Sequence, residues 1–266
     1  MYDVIIVGAG SVGCAAAREL SRYRLRVLVL EKGHDLCAGA SKCNSGMIHA
    51  GVNVPVGYIP AGSTNDFAAS LKLPVNAMQA VQHILEGQSV SYDVGRFGNR
   101  YFSYIASFGA FTRTSYTTPQ SLKNALGHTA YVLNGIQELS QIRSHPLRFT
   151  LSDGSMIEGR FLFGAISNST SLGGVLTLTP DQVDMADGKL ELLLIRAPKD
   201  LFELGECVRA LQQKTYHCEM ITFLSTDSVS ICAPKDLCWT IDGEHESGHT
   251  ETNVSCLHHA IQVITK

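Results

Sequence analysis

The residues best placed to do chemistry fall in four stretches of this 266-residue chain. Gly8, Gly10 and Gly13 form a GxGxxG turn between the apolar run Val4 to Val7 and a helix-like stretch, and Glu31 closes the next apolar run. Glycines so placed let backbone approach a pyrophosphate, a helix N-terminus stabilises its charge, and a carboxylate about twenty residues on accepts from a ribose hydroxyl. The bland alternative is that they only pack a helix on a strand. Gly62, Ser63, Thr64 and Asn65 make a small-residue loop whose amides and hydroxyls can reach phosphate oxygens. Asp66 follows at a helix start, where it could equally be an N-cap. Asp184 and Asp187, beside Gly188, form an acidic turn suited to a hard cation bound through oxygen, although such turns also occur without metal. Glu244 follows Asp242-Gly243 after Trp-Thr-Ile, and its spacing alone reads as a solvated turn carboxylate.

Two further patterns invite a metal reading and are set aside. His245-Glu246-Ser247-Gly248-His249 satisfies HExxH, but that chemistry needs both histidines on one helical face. Gly243 and Gly248 bracket it, and no apolar helical stripe surrounds it. His258-His259 precedes a strand-like run, where consecutive side chains alternate faces, so shared ligation is not expected.

These residues need elements to position them. Val4 to Val7, a helix over Ser11 to Ser21, and Val27 to Leu30 read as strand, helix, strand, and continuous apolarity predicts a parallel sheet covered on both faces. Residues 37 to 51 read as loop. Val56 to Ile59 reads as a buried strand, Phe67 to Leu71 and Asn76 to Leu85 as helices. Near Ser89 the character turns to β: strands are expected at Tyr101 to Ser107, Leu147 to Leu151, Phe161 to Ile166, Lys189 to Ile195, Ser228 to Cys232, Leu237 to Ile241 and Ala260 to Ile264. Asp153-Gly154 marks a hairpin. Thr118-Pro119 opens a helix carrying Leu122, Leu126 and Leu133 on one face, and a second amphipathic helix is expected over Lys199 to Leu211.

Composition narrows the function classes. Hydrophobic residues at 45% and charged residues at 17% exclude a mostly disordered chain. With 21 basic against 24 acidic residues, net charge -3, no nucleic-acid partner is expected. Eight cysteines contain no CxxC pair, and the start Met-Tyr-Asp-Val-Ile-Ile lacks a basic n-region, so a reduced, cytoplasmic protein is expected. Apolar runs fall far short of the ~20 residues that span a bilayer. Any membrane contact is expected to be peripheral.

Two resemblances complete the reading. DVIIVGAGSVGCAAARELSR, VLVLEKG and SKCNSGMIHAG, within residues 1–51, resemble the start of FAD-dependent oxidoreductases of the glycerol-3-phosphate dehydrogenase kind, implying FAD at Gly8, Gly10, Gly13 and Glu31. From Val54 the chain resembles the bacterial diacylglycerol kinases and related lipid kinases. That likeness rests on VPVGYIPAGSTNDFAASLKLP, YDVGRFGNRYF, YTTPQSLKNALGHTAYVLNGIQEL, SNSTSLGG, DMADGKLELLLI and IDGE. The fold expected is α/β plus β: a partial Rossmann-like parallel unit (1–51), a remnant of a nucleotide-binding α/β domain (52–88) and a lipid-kinase β-sandwich (89–266).

The lipid-kinase resemblance implies ATP and Mg2+ as cofactors, Glu244 as general base toward a lipid hydroxyl, and Asp66 as support for the catalytic magnesium. It further implies Gly62 to Asn65 on the phosphates, a structural magnesium at Asp184 and Asp187, Asp93 supporting the site, a lipid substrate at a membrane surface, and a possible homodimer. The family's GGDGT loop, which grips ATP phosphates, occurs nowhere in this chain, and the flavin-type unit stands in its place. Turnover is therefore expected to be impaired.

Overall fold

The computed structural model describes residues 3–7, 11–30, 55–60, 65–109, 143–172, 176–216 and 218–266. The chain separates into two compact units, Met1–Met47 and Ile48–Lys266. In the first, β1 (Val4–Val7) and β2 (Val27–Leu30) pair in parallel, Val4 opposite Val27, with α1 (Ser11–Leu20) as the crossover. Arg26 fixes the entry to β2 by donating from Nε, Nη2 and its backbone amide to the Asp3 carboxylate at 2.8–3.0 Å. The strands are not covered on both faces as expected: Ile5 is 56% and Leu30 48% exposed. Among the described residues of this unit a single helix accompanies the two strands, and one helix covers only one face of a sheet.

In the second unit, α2 (Asp66–Ser70) and α3 (Ala77–Glu86) precede β3 (Gln88–Phe97), β4 (Arg100–Phe102) and β5 (Ile105–Gly109). Then follow β6 (His145–Leu151), β7 (Met156–Ser167), β8 (Ser171–Leu172), β9 (Leu176–Thr177) and β10 (Leu190–Arg196). α3 starts where the Asn76 side chain accepts from the amides of Met78 and Gln79, satisfying two of the orphan donors of a helix start. After α4 (Leu201–Gln213) come β11 (Ile221–Thr226), β12 (Ser228–Cys232), β13 (Trp239–Ile241), β14 (Glu244–Glu246) and β15 (Glu251–Thr265). Eleven strands form one sheet in the order β14-β13-β5-β7-β6-β12-β15-β3-β4, with β10 attached to β7 and β11 to β10. All its strand pairs are antiparallel.

The sheet closes over its own core, as a β-sandwich requires. Phe97 on β3 and Trp239 on β13, near opposite ends of the strand order, stand 4.8 Å apart ring to ring. Phe102, Phe108, Phe149, Phe161 and Ile231 fill the same interior. β10 explains its apolar run Leu192 to Ile195: Leu190, Leu192 and Leu194 face this core, while Leu193 and Ile195 face a second one shared with α2 and α4. Gly95 lies opposite Phe102, and a Cβ there would sit 2.0 Å from the buried ring. Gly95→Ala is expected to destabilise the unit by about 1–3 kcal/mol, measured by urea unfolding.

Several elements depart from the sequence reading. The expected strand Val56 to Ile59 shrinks to one parallel bridge, Val56 with Val263, because Pro55 and Pro60 flank it and Gly57 lies against Ile84. The run Tyr101 to Ser107 is two strands, broken where the amides of Ser103 and Tyr104 turn to a side chain. Leu237 and Cys238 precede the strand rather than start it. β3, β11 and β14 were not anticipated, and β15 begins nine residues before Ala260. The Asp153-Gly154 hairpin forms, with Gly154 at φ 82°. The helix expected after Thr118 and the loop 37–51 lie outside the described residues.

Candidate active site

The Asp242-Gly243 pair builds one half of the site. Both residues have positive φ, 47° and 89°, the geometry a two-residue hairpin between β13 and β14 demands. Asp242 then points inward. Its Oδ2 accepts from the Ser103 amide at 2.7 Å and the Ser103 hydroxyl at 3.0 Å, and its Oδ1 from the amides of Tyr104 and Ile105 at 3.1 and 2.9 Å. Burial pushes this carboxyl above the usual aspartate range, and the four donors pull against that shift. Glu244, on the outer side of the hairpin, accepts from Arg100 Nη2 at 3.0 Å, while Arg100 Nη1 holds Glu246 at 2.9 Å. A shared guanidinium fixes the direction of Glu244 without making it a sole counter-ion. The HExxH segment is hairpin rather than helix, as its glycines imply, with His249 turned back on Glu246 at 3.3 Å.

The other half centres on Asp66, which is 6% exposed at the first turn of α2, after Asn65 in the left-handed region at φ 51°. Asp66 is not a capping side chain; its Oδ1 accepts from the Ser171 hydroxyl. Ser70, one turn on, meets the Ser169 hydroxyl at 2.7 Å and accepts from the Thr170 amide and hydroxyl. Asn168 donates its amide to the Tyr104 carbonyl at 3.0 Å, and Tyr104 donates to Asp242. The segment Asn168 to Ser171 thus ties Asp66 to the Asp242 hairpin. Tyr58 lies on the same seam: its ring meets Phe67 edge-on at 5.5 Å, and burial first, then the Asp242 charge, raises its phenol.

A third group surrounds the acidic turn. Asp184 and Asp187 are exposed and each accepts a backbone amide two residues on, from Ala186 and Lys189. Asp93 is buried beside it. Its Oδ2 takes the Gly188 amide at 2.6 Å, and its Oδ1 takes the His259 amide at 2.7 Å and meets His258 Nδ1 at 3.0 Å. Asp93 therefore serves the acidic turn with its carboxylate and Asn168 with its carbonyl. Nearby Glu191 is 1% exposed with an unpartnered Oε2, and burial, then the charges of Asp187, Asp184 and Asp93, push its carboxyl up to about 8. An orphaned buried carboxylate oxygen under an acidic turn fits a divalent cation there. The histidine expectation is overturned: His258 and His259 do not alternate. A bulge between Leu257 and Ile261, with His259 at φ 52°, puts both rings on one side, stacked at 3.7 Å.

Of the residues named from sequence, Asp66, Asn65, Asp184, Asp187 and Glu244 fall among the described residues, and Gly13 within α1. Gly8, Gly10, Glu31, Gly62, Ser63 and Thr64 lie outside them. Asp242, Arg100, Ser171 and Tyr58 were missed as contributors. The signal available for Ser167 to Ser171 was a run of five small polar residues directly after the apolar stretch Phe161 to Ile166 of β7. Three of them, Ser167, Asn168 and Ser169, are buried.

Comparison with known proteins agrees with a composite chain. Residues 3–160 match the family described as FAD dependent oxidoreductase, well past the 51 residues that carry the sequence resemblance. Residues 106–265 match the YegS C-terminal NAD kinase beta sandwich-like domain. The chain therefore belongs to this YegS-type lipid kinase family through its sandwich, joined to a segment of the FAD dependent oxidoreductase family. Diacylglycerol kinases of Staphylococcus aureus strains RF122 / ET3-1 and JH9 are 33% identical over 192 residues, 71% of this chain and 60% of theirs. The chain thus spans about 60% of the length of these relatives. In fold, a diacylglycerol kinase structure from Bacillus anthracis str. Sterne aligns at TM-score 0.60 and 18% identity, covering 99% of this chain and 96% of its own. Another chain from that organism reaches 0.66 at 20% identity, covering 99% and 94%. No helix among the described residues is long and apolar enough to cross a membrane.

Proposed function

We propose that the chain is by descent an ATP- and magnesium-dependent kinase of diacylglycerol or a similar lipid alcohol, with turnover impaired by loss of the GGDGT loop. The observation that carries the reading is the connected pair of carboxylates: Glu244, aimed by Arg100 from the hairpin, and Asp66, tied to that hairpin through Asn168 to Ser171. Phosphoryl transfer asks little of a protein beyond position and charge, so a base at one side and a metal-supporting carboxylate at the other are the parts required. Glu244 takes the proton from the lipid hydroxyl as it attacks. Asp66 holds the metal side, and Gly62 to Asn65 contact the phosphates. Magnesium supplies charge neutralisation to the phosphate oxygens, and Asp184 and Asp187 hold a second, structural ion. The sandwich presents the lipid hydroxyl from a membrane surface, with peripheral contact; pairing of two copies through sandwich strands fits this reading.

Transfer of labelled phosphate from ATP to diacylglycerol in mixed micelles with magnesium tests the proposal. Glu244→Gln is expected to lower that transfer about a hundredfold or more. Transfer insensitive to the substitution, or absent from the wild-type chain, would refute an active kinase site. A second reading is FAD held at Gly8, Gly10, Gly13 and Glu31. It is supported by the parallel β1-α1-β2 unit and the oxidoreductase match, and it makes the purified protein yellow.

A further inference from the structure

Beside the acidic turn the chain assembles a set of donors different in kind from the all-oxygen sites above. Asp93, His258 and His259 each offer one ligand atom, and the three atoms lie within 4.8 Å of one another. The carboxylate is buried and the two imidazoles are exposed above it, so an ion has an entry path and an anchored base. Two consecutive residues reach the same side only because the strand is bulged and His259 takes φ 52°, a conformation that costs a non-glycine residue of order 1 kcal/mol or more. Strain of that kind persists where surroundings or function hold it.

We propose that Asp93, His258 and His259 bind a divalent transition metal of the zinc type, with the Ala186 carbonyl as a further oxygen donor. The spacings are near those required. His258 Nδ1 is 3.0 Å from Asp93 Oδ1, and His259 Nε2 is 3.2 Å from the Ala186 carbonyl oxygen. Donors about 2.0–2.2 Å from zinc in a tetrahedron stand roughly 3.3–3.5 Å apart, so each pair opens only slightly. The stacked rings, at 3.7 Å, need only swing apart to point both nitrogens at one centre. The Gly188 and His259 amides hold the Asp93 carboxylate, the supporting contacts that keep a ligand oriented. Two nitrogens and a carboxylate select zinc, cobalt or nickel over magnesium, which prefers oxygen. The ion would clip β15 to β3 and to the acidic turn. It does not depend on the kinase reading.

The test uses the full chain, stripped of metal, titrated with zinc chloride by calorimetry and with cobalt chloride by absorption. One equivalent is expected to bind. His258→Ala and His259→Asn should each weaken zinc by about tenfold or more, while the double variant His245→Ala/His249→Ala leaves it unchanged. The two ligand positions are exposed, and asparagine tolerates the left-handed conformation, so both variants are expected to fold; fluorescence of the single tryptophan, Trp239, verifies this. Any of four results overturns the proposal: no saturable binding to folded protein, affinity indifferent to His258 and His259, displacement by millimolar magnesium, or a cobalt–thiolate charge-transfer band.

Discussion

Asp242→Ala is expected to destabilise the sandwich by about 3–5 kcal/mol. The carboxylate takes three backbone amides and one hydroxyl at the break between β4 and β5. Removing it takes this acceptor from a buried amide at Ile105 and from half-buried donors at Ser103 and Tyr104, each loss costing about 1–3 kcal/mol if unrelieved, though the costs do not simply add. It also exchanges a residue that tolerates φ 47° for one that does not. Asp242→Asn should fall between, since the amide oxygen can accept two of the bonds while its NH2 faces the others. Trp239 sits on β13, three residues away and buried, so its fluorescence reports urea unfolding directly. A loss below about 1 kcal/mol for the alanine variant would mean that the break is held by strand pairing alone. Glu244→Gln, on the exposed side of the same turn, is expected to leave stability within about 0.5 kcal/mol, which separates scaffolding from chemistry.

How much of this was legible in the sequence depends on whether the signal is local. The β1-α1-β2 unit, α4, β12 and the Asp153-Gly154 hairpin all follow from periodicity or turn chemistry within a few residues, and they form where expected. So does the Asp242-Gly243 turn. The unbroken apolarity of β1 and β2 is the pattern of Leu192 to Ile195 in β10, yet of the three only β10 is buried on both faces, because burial depends on what the rest of the chain lays over a strand. β3 and the start of β15 were missed since their polar alternation, Gln-Ser-Val-Ser and Glu-Thr-Asn-Val, is that of an exposed edge until Gln88 to Ser91 pairs with the far end of β15, Gln262 to Thr265, and Glu251 to Val254 pairs with β12. The His258-His259 bulge was invisible because register shifts leave no mark in composition. For the site, Glu244 and Asp66 carry no distinctive spacing, and only family resemblance raised them above ordinary surface acids. What joins them, Asn168 to Ser171 and the amides of Ser103 to Ile105, is made of backbone and small side chains brought together by long-range pairing.

Glu191→Gln is expected to stabilise the protein at alkaline pH and to leave it nearly unchanged in acid. The residue sits on β10 between Ser167 of β7 and Ser225 of β11, with one carboxyl oxygen unpartnered. Burial and then its acidic neighbours raise its pKa from 4.5 to about 8. For an acid raised in the folded state, the native protein holds a proton that the unfolded chain releases above pH 4.5. Stability from this group is therefore full below pH 4.5, declines as pH climbs, and is lost once pH passes about 8. The whole decline is bounded at roughly 3–5 kcal/mol. Glutamine mimics the protonated form at every pH, so the variant should match wild type at pH 5 and exceed it by several kcal/mol at pH 9, read from urea unfolding at each pH. A difference that does not change with pH would assign the effect to packing. Magnesium sharpens the test, because a cation held by Asp184 and Asp187 would offset the charge that makes Glu191 costly. Millimolar magnesium should then stabilise wild type at pH 9 more than the glutamine variant, whereas equal gains in both would place the ion away from this turn.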